Sequence, residues 1–546
     1  MFGKQKIGLY SMDGMYRRIH FPILFLCLGS VVAINFHIEL FYLACSIISA
    51  YGVLFITFFY SCDAIWKKRI IPSVETVLQT FYIIGIVEVV YVLFQLVGVL
   101  NSFNSYFFVT GSFSSPVVLA MCLSLCIPIG IHFCLKSKST IRVGWLFTVL
   151  SMLLVLFFVD SRTGLLAVLI SVLIICIGTK RIEINCLNKN RNVILALFLV
   201  IALGVIMYFH KPDSVKGRFL IWKITTEMIC DKPILGWGWN GFEANYMQCQ
   251  ANFFHNNPNS KCLMLADNIN NPFNEFLLFT VKFGFVGLFI LLYLIFRLIR
   301  SICLMQEEYK YTLLSLVVTI LVWGMFSYPL RVTFVWIVIS YLINMSCWRQ
   351  SDFKIKKGKA ICVLIGCVPV FILLTINTIY RVQWGIIQDA SIYGKTKEMI
   401  PAYSQLMNNL KNDGDFLYNY GAELNYIGCY KESNDVLFKC MSISNDYNLQ
   451  MLIADNFKNL GEIGKAGKMY DNAAKMIPSR FLPLYCKMHM YIDNGNNIQA
   501  FKTAFEIVNK QKKCESRTVN DMVDEARQFM WDIIKDQERK KNDHGY

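Results

Sequence analysis

Residues 114–135 read SSPVVLAMCLSLCIPIGIHFCL, twenty-two positions without a Lys, Arg, Asp or Glu. At ~1.5 Å per residue such a helix crosses the ~30 Å hydrocarbon core of a bilayer. Working outward, comparable apolar runs occupy 20–36, 39–60, 79–100, 143–160, 163–179 and 192–209. After a long polar break come 274–296, 311–328, 332–347 and 360–380. Eleven spans result, 332–347 being the shortest against the usual ~17–25 residues. The first is not a cleavable signal peptide, since no small-residue cleavage site follows and another span begins at once.

Composition agrees. Hydrophobic residues make up 55% and charged residues 16%, with mean hydropathy +0.46, whereas a soluble domain carries ~25% charged residues. This excludes a soluble globular domain and a disordered chain. Nineteen cysteines diluted over 546 residues also exclude a disulfide framework. The 42 Phe and 27 Tyr suit lipid-facing and interfacial surfaces.

Basic residues set the expected orientation. Segments such as Arg17-Arg18, Lys67-Lys68-Arg69, Lys180-Arg181 and Lys354 to Lys359 alternate with short loops that carry only Arg162 and Arg331. The N-terminus is therefore expected in the cytoplasm. The net charge of +16 reads as topology, not as nucleic-acid binding. Domains are expected at 1–380, a membrane core with an outer-face loop at 210–273, and at 381–546, a polar extracytoplasmic tail.

The tail repeats. Ala466, Tyr470, Ala473 and Pro478 stand at the spacing of a tetratricopeptide unit, and Ser433 and Ala500 lie 33 and 34 residues either side of Ala466. Units are expected at 414–446, 447–480 and 481–513, with a capping helix near 519–538. Tyr426, Phe457 and Tyr491 are expected to fill the grooves, the repeats burying their apolar faces among themselves. An unrelated helical-hairpin domain is the plainer alternative. The fold class is all-α: a polytopic transmembrane bundle followed by an α-solenoid, whose concave surface would suit a protein partner.

Three arginines fall on the outer side against the topological bias. Arg162 follows Asp160-Ser161, Arg331 follows Tyr328-Pro329-Leu330, and Arg218 opens the amphipathic stretch Arg218-Phe219-Leu220-Ile221-Trp222. Each is either a side chain snorkelling at the interface or a planar fork for a phosphate. On charge alone snorkelling accounts for Arg331, and the readings are level for Arg162. Gly236-Trp237-Gly238 lacks the strand and helix of a dinucleotide loop; it reads as a tight turn placing Trp237 and Trp239 at the membrane or against sugars. Cys249 and Cys262 fit either a disulfide or two separate thiols.

The order of these motifs carries a resemblance. Phe108 to Pro116, Ser161-Arg162-Thr163-Gly164, Arg218 to Trp222, Asp231 to Phe242 and Asn271-Pro272-Phe273-Asn274-Glu275, leading into Phe283-Gly284-Phe285-Val286-Gly287, together resemble the O-antigen ligase and polymerase family over about 111–330. The resemblance implies a glycosyltransferase of the bacterial inner membrane. It would act at the periplasmic face on an undecaprenyl-diphosphate-linked glycan, with a glycan, lipid or protein acceptor. It implies Arg162 and Arg218 as ligands of the donor diphosphate, with Arg331 a third outer cation, and neither metal nor cofactor. The family usually places a histidine before the Asn-Glu element; here Phe273 stands there and cannot accept a proton. Glu275, Asp267 and His255 are the nearby candidates, although Glu275 better suits a helix N-terminus and His255 an ordinary loop position. Ligation is the leading expectation; polymerisation, protein O-glycosylation and a decayed scaffold that only presents the repeats are the alternatives.

The basic asymmetry and the odd number of spans place the C-terminus outside the cytoplasm. A periplasm-active reporter fused after Tyr546 should be active; activity of only a cytoplasm-active reporter would show a miscounted span.

Overall fold

The computed structural model describes residues 51–52, 54–57, 73–179, 212–305, 307–349 and 357–543. The first span, most of the second and the seventh lie outside these residues. Among the described residues the protein is all-helical, with six helices long and apolar enough to cross a membrane.

Eight of the expected spans coincide with helices: α1 Val74–Leu96, α2 Pro116–Lys136, α3 Ser139–Phe158 and α4 Arg162–Gly178; then, beyond α5 Pro212–Asp231 and α6 Gly241–Asn256, α7 Glu275–Cys303, α8 Glu307–Phe326, α9 Thr333–Arg349 and α10 Lys357–Ala390. Local chemistry sets several starts. The Ser73, Ser115 and Ser161 side chains accept from the backbone N–H groups of Thr76, Val117 and Gly164, and Pro116 occupies the first helical position of α2. The tail continues as α11 Thr396–Leu410, α12 Gly414–Tyr426, α13 Tyr430–Met441, α14 Tyr447–Asn459, α15 Ile463–Met476, α16 Leu482–Asp493, α17 Asn497–Asn509 and α18 Arg517–Asp543.

The chain divides into two compact units, 1–210 with 291–378 and 211–290 with 379–546. The division groups the loop helices with the tail. In the first unit α2 is the most enclosed of the long apolar helices. Gly130 lets the Tyr82 ring lie against it, where a Cβ would come within 2.3 Å of that ring. Sparse polar contacts stitch the apolar surfaces: Trp323 Nε1 donates to Ser124 Oγ at 2.7 Å, and the Ser171 and Thr319 hydroxyls share a bond of 2.6 Å.

In the second unit the tail forms three helical pairs. Gly428, Gly461 and Gly495 end the first helix of each pair in the left-handed region. After each glycine the next amide reaches back five residues, Cys429 to Leu424, Glu462 to Phe457 and Asn496 to Tyr491, all at 2.9 Å. This Schellman closure recurs at the 33- and 34-residue spacing and sets the turn between paired helices. Ser433, Ala466, Tyr470, Ala473 and Ala500 are buried, so the small residues do allow close helix approach. Tyr426 does not fill a groove; it is 77% exposed because it closes α12 just before the glycine turn. Nor do the repeats bury apolar surface only among themselves. Tyr447, Ala473, Met476 and Ile477 share a core with Leu220, Ile224, Met228, Phe242 and Tyr246 of the loop helices.

The loop is also spliced to α7. Gly284, at φ 66° and ψ −170°, breaks that helix. In a regular helix Phe285 and Val286 would donate to the carbonyls of Val281 and Lys282. Instead those carbonyls accept from Trp237 and Gly238 at 2.8 and 2.9 Å, while Phe285 and Val286 donate to Pro233 and Ile234 at 2.8 and 3.4 Å. The approach leaves no room for side chains: a Cβ on Gly284 would lie 2.0 Å from the Ile234 carbonyl oxygen, and one on Gly236 would lie 2.5 Å from that of Val281.

Gly284→Ala should therefore destabilise the protein by about 2–4 kcal/mol through backbone strain and loss of the splice. Gly366→Ala, where a new Cβ meets nothing within 4 Å on helical backbone, should be neutral or slightly stabilising. Thermal unfolding in detergent separates them; equal melting temperatures would refute the splice as a stability element.

Candidate active site

In the first unit, the loop between α1 and α2 is held from beneath by two buried polar side chains. Gln95 Oε1 accepts from Thr110 and Gly111 amides at 3.1 and 2.9 Å, while its Nε2 donates to the Gly111 carbonyl at 3.0 Å. Glu88 accepts from Ser112 N at 2.9 Å and Ser112 Oγ at 2.5 Å. Glu88 is thus a structural acceptor for the Thr110-Gly111-Ser112 turn. Arg162 is the first residue of α4 and half-buried. It follows Asp160, at φ 52°, and Ser161, at a helix start where the dipole favours an anion. Arg331 ends the short 3-10 turn Pro329–Arg331 and is exposed.

In the second unit, the Asn271–Glu275 turn is built by local hydrogen bonds. Phe273 N donates to Asn271 Oδ1 at 2.7 Å, and Leu277 N donates to Asn274 Oδ1 at 3.0 Å. Asn274 therefore caps α7 and Glu275, buried, is its first residue. Phe273 adopts φ 53°, a conformation that disfavours bulky side chains. The turn is clamped from α5, where Arg218 and Trp222 are four apart and share a face. Trp222 Nε1 donates to the Pro272 carbonyl at 2.9 Å, and the Arg218 guanidinium lies 5.8 Å from the Phe273 ring centre. Phe273 thus supports the arginine through a cation–π contact worth ~0.5–1 kcal/mol when partly exposed.

The structure brings Arg218 to the Phe273–Glu275 turn. It leaves His255 on the exposed last turn of α6, and among the described residues no hydrogen bond or ion pair joins it to that turn. Asp267 is exposed, 3.9 Å from Arg480. Trp237 is half-buried and its indole donates to Met228 O at 2.8 Å, whereas Trp239 is exposed. Cys249 and Cys262 are separate thiols. Burial pushes the Cys249 thiol up to about 11, with Asp231 and Glu227 adding to the effect, so it stays protonated near neutral pH.

Over residues 147–292 the chain matches the family model described as O-antigen ligase. This region is an O-antigen ligase family domain. It contains Arg162, Arg218, the Gly236–Gly238 turn, the Phe273–Glu275 turn and the Gly284 splice, while Arg331 and the Gly111 loop lie outside it. No curated protein matches the chain.

Sequence reasoning missed one residue that positions the ligase-domain turn. Gln250, buried on α6, donates through Nε2 to Asp267 O at 3.0 Å and to Met476 O at 2.7 Å. It ties the segment leading to Phe273 to α6 and to the tail at once. Asn268 Nδ2 reinforces this by donating to Asp446 Oδ2 at 2.9 Å. A glutamine amid the apolar positions Tyr246, Met247 and Ala251 was the available signal.

Gln250→Leu would leave the buried Met476 carbonyl without this donor, at about 1–3 kcal/mol, and the part-buried Asp267 carbonyl too, at a smaller cost. Hydrogen exchange should then accelerate across 262–273 and at the end of α15; unchanged protection there would remove Gln250 from this role.

Proposed function

We propose that the protein transfers a glycan from a polyprenyl-diphosphate carrier, of the undecaprenyl type, to an acceptor hydroxyl at the periplasmic face of the bacterial inner membrane. The glycosidic carbon forms a bond to the acceptor oxygen as its bond to the diphosphate breaks. The acceptor gives up its proton, and the carrier leaves as the diphosphate. Charge grows on that leaving group, so preorganised guanidinium groups lower the barrier. The supporting observation is Arg218 held on Phe273 beside the capped start of α7, inside the matched region. Arg218 and Arg162 are the proposed diphosphate ligands and Arg331 an accessory one. Glu275 is the proposed proton acceptor, ahead of His255, whose exposed position lacks a connection to the turn.

Ligation to a lipopolysaccharide core is the leading reaction, followed by polymerisation and protein O-glycosylation. The repeat tail suits recognition of an acceptor or partner protein. A second reading, a scaffold without transferase activity, is favoured by Phe273. Surface glycans of a mutant separate these. Unattached long chains mark lost ligation, single repeats mark lost polymerisation, altered glycoproteins alone mark the third reaction, and an unchanged surface marks the scaffold.

Arg218→Ala and Arg162→Ala should each lower transfer from extracted lipid-linked donor by about 30-fold or more, corresponding to at least ~2 kcal/mol for a desolvated charged contact. Arg162→Lys, which keeps the charge and loses the fork, should stay impaired. Glu275→Gln should abolish transfer, and Phe273→His should partly restore it by returning a base. Near-normal transfer by both alanine variants at normal protein levels would refute the diphosphate clamp.

A further inference from the structure

The splice at Gly284 also bears on depth in the bilayer. Ile234, Leu235 and Trp239 are 67%, 74% and 74% exposed, an apolar grouping unusual for a water-facing surface. On the adjoining part of α7, Phe285, Val286, Phe289 and Ile290 are exposed too. The bonds from Phe285 and Val286 to Pro233 and Ile234 bring these two sets onto adjoining backbone.

Charge spacing sets the level of α7. Lys282 and Arg297 bracket fourteen uncharged residues, a rise of about 21 Å, short of the ~30 Å core. A span of about 20 residues must therefore pass one of these charges. Both ends allow it: Lys282 is paired with Glu243 at 2.8 Å, and Arg297 and Arg300, both within the last two turns of α7, can snorkel. Counting about 20 residues back from Arg297 reaches Leu278, and counting back from Cys303 reaches Gly284. The kink therefore lies between the hydrocarbon edge and about 9 Å inside it. Irregular backbone survives at that depth only with its polar groups paired. The exchange of two broken helical bonds for four loop bonds supplies that pairing.

We infer that Pro233–Trp239 is a membrane-immersed elbow in the leaflet where α7 begins. Ile234 and Leu235 lie among acyl chains. Trp239 sits at headgroup level, where indoles are favoured, with Lys282 Nζ 5.9 Å from its ring. The partner of this surface is lipid. The inference is independent of the transferase reading.

Hydroxyl-radical footprinting of the full chain in nanodiscs tests it without a variant. Trp531 of α18 is 54% exposed, so by accessible surface alone Trp239 should oxidise faster. Immersion reverses the order: Trp239 should oxidise several-fold more slowly than Trp531. Lipids with a diazirine in the acyl chain should then leave adducts on residues 233–239. Oxidation of Trp239 at least as fast as Trp531, with adducts on α7 but none on 233–239, would overturn the elbow.

Discussion

The second unit depends on one backbone exchange, the replacement of two i→i−4 bonds in α7 by four bonds to the Pro233–Gly238 loop. A helix break inside an apolar segment normally strands carbonyls and amides at several kcal/mol each. Here every freed group meets a complementary group of the loop, and two glycines make the approach sterically possible. The consequences extend outward. The splice fixes Trp237, whose indole ties back to the end of α5, and Trp237 packs against Gly241 at the start of α6. The register of α5 then determines which residues meet the turn before α7.

Eight of the spans and the tail's helical pairs were legible because their signals are long and periodic. An uninterrupted apolar run has one solution in a bilayer, and small residues at a spacing of about 34 have one economical packing. The splice was not legible, although Gly284 and Gly236 were both in view. Flanked by Phe283 and Phe285, Gly284 reads as a tolerated glycine in a helix; nothing local shows that a segment some 50 residues earlier provides its missing partners. Tyr426 failed for a related reason. An aromatic at the expected period was assigned to a groove, but its place beside the glycine turn decided its exposure. Gln250 was invisible because its worth lies in two carbonyls distant in sequence.

At the candidate site, the backbone conformation of Phe273 has a structural meaning. A positive-φ position is expensive for phenylalanine, and residues held in such conformations persist where the surroundings over-determine them. Asn271, Asn274 and Trp222 supply those constraints. The ring they hold lies 5.8 Å from the Arg218 guanidinium and helps to fix it.

The tail belongs to the same account. Its second helical pair completes the core beneath α5 and α6, and its Met476 carbonyl shares Gln250 with the segment that delivers the Phe273 turn. A recognition module attached only by a linker would bind without changing that turn. This one cannot detach without uncovering Tyr246 and Phe242 and releasing a buried amide. The second helical pair is therefore part of the packing that holds α5 and α6, not an appendage to it.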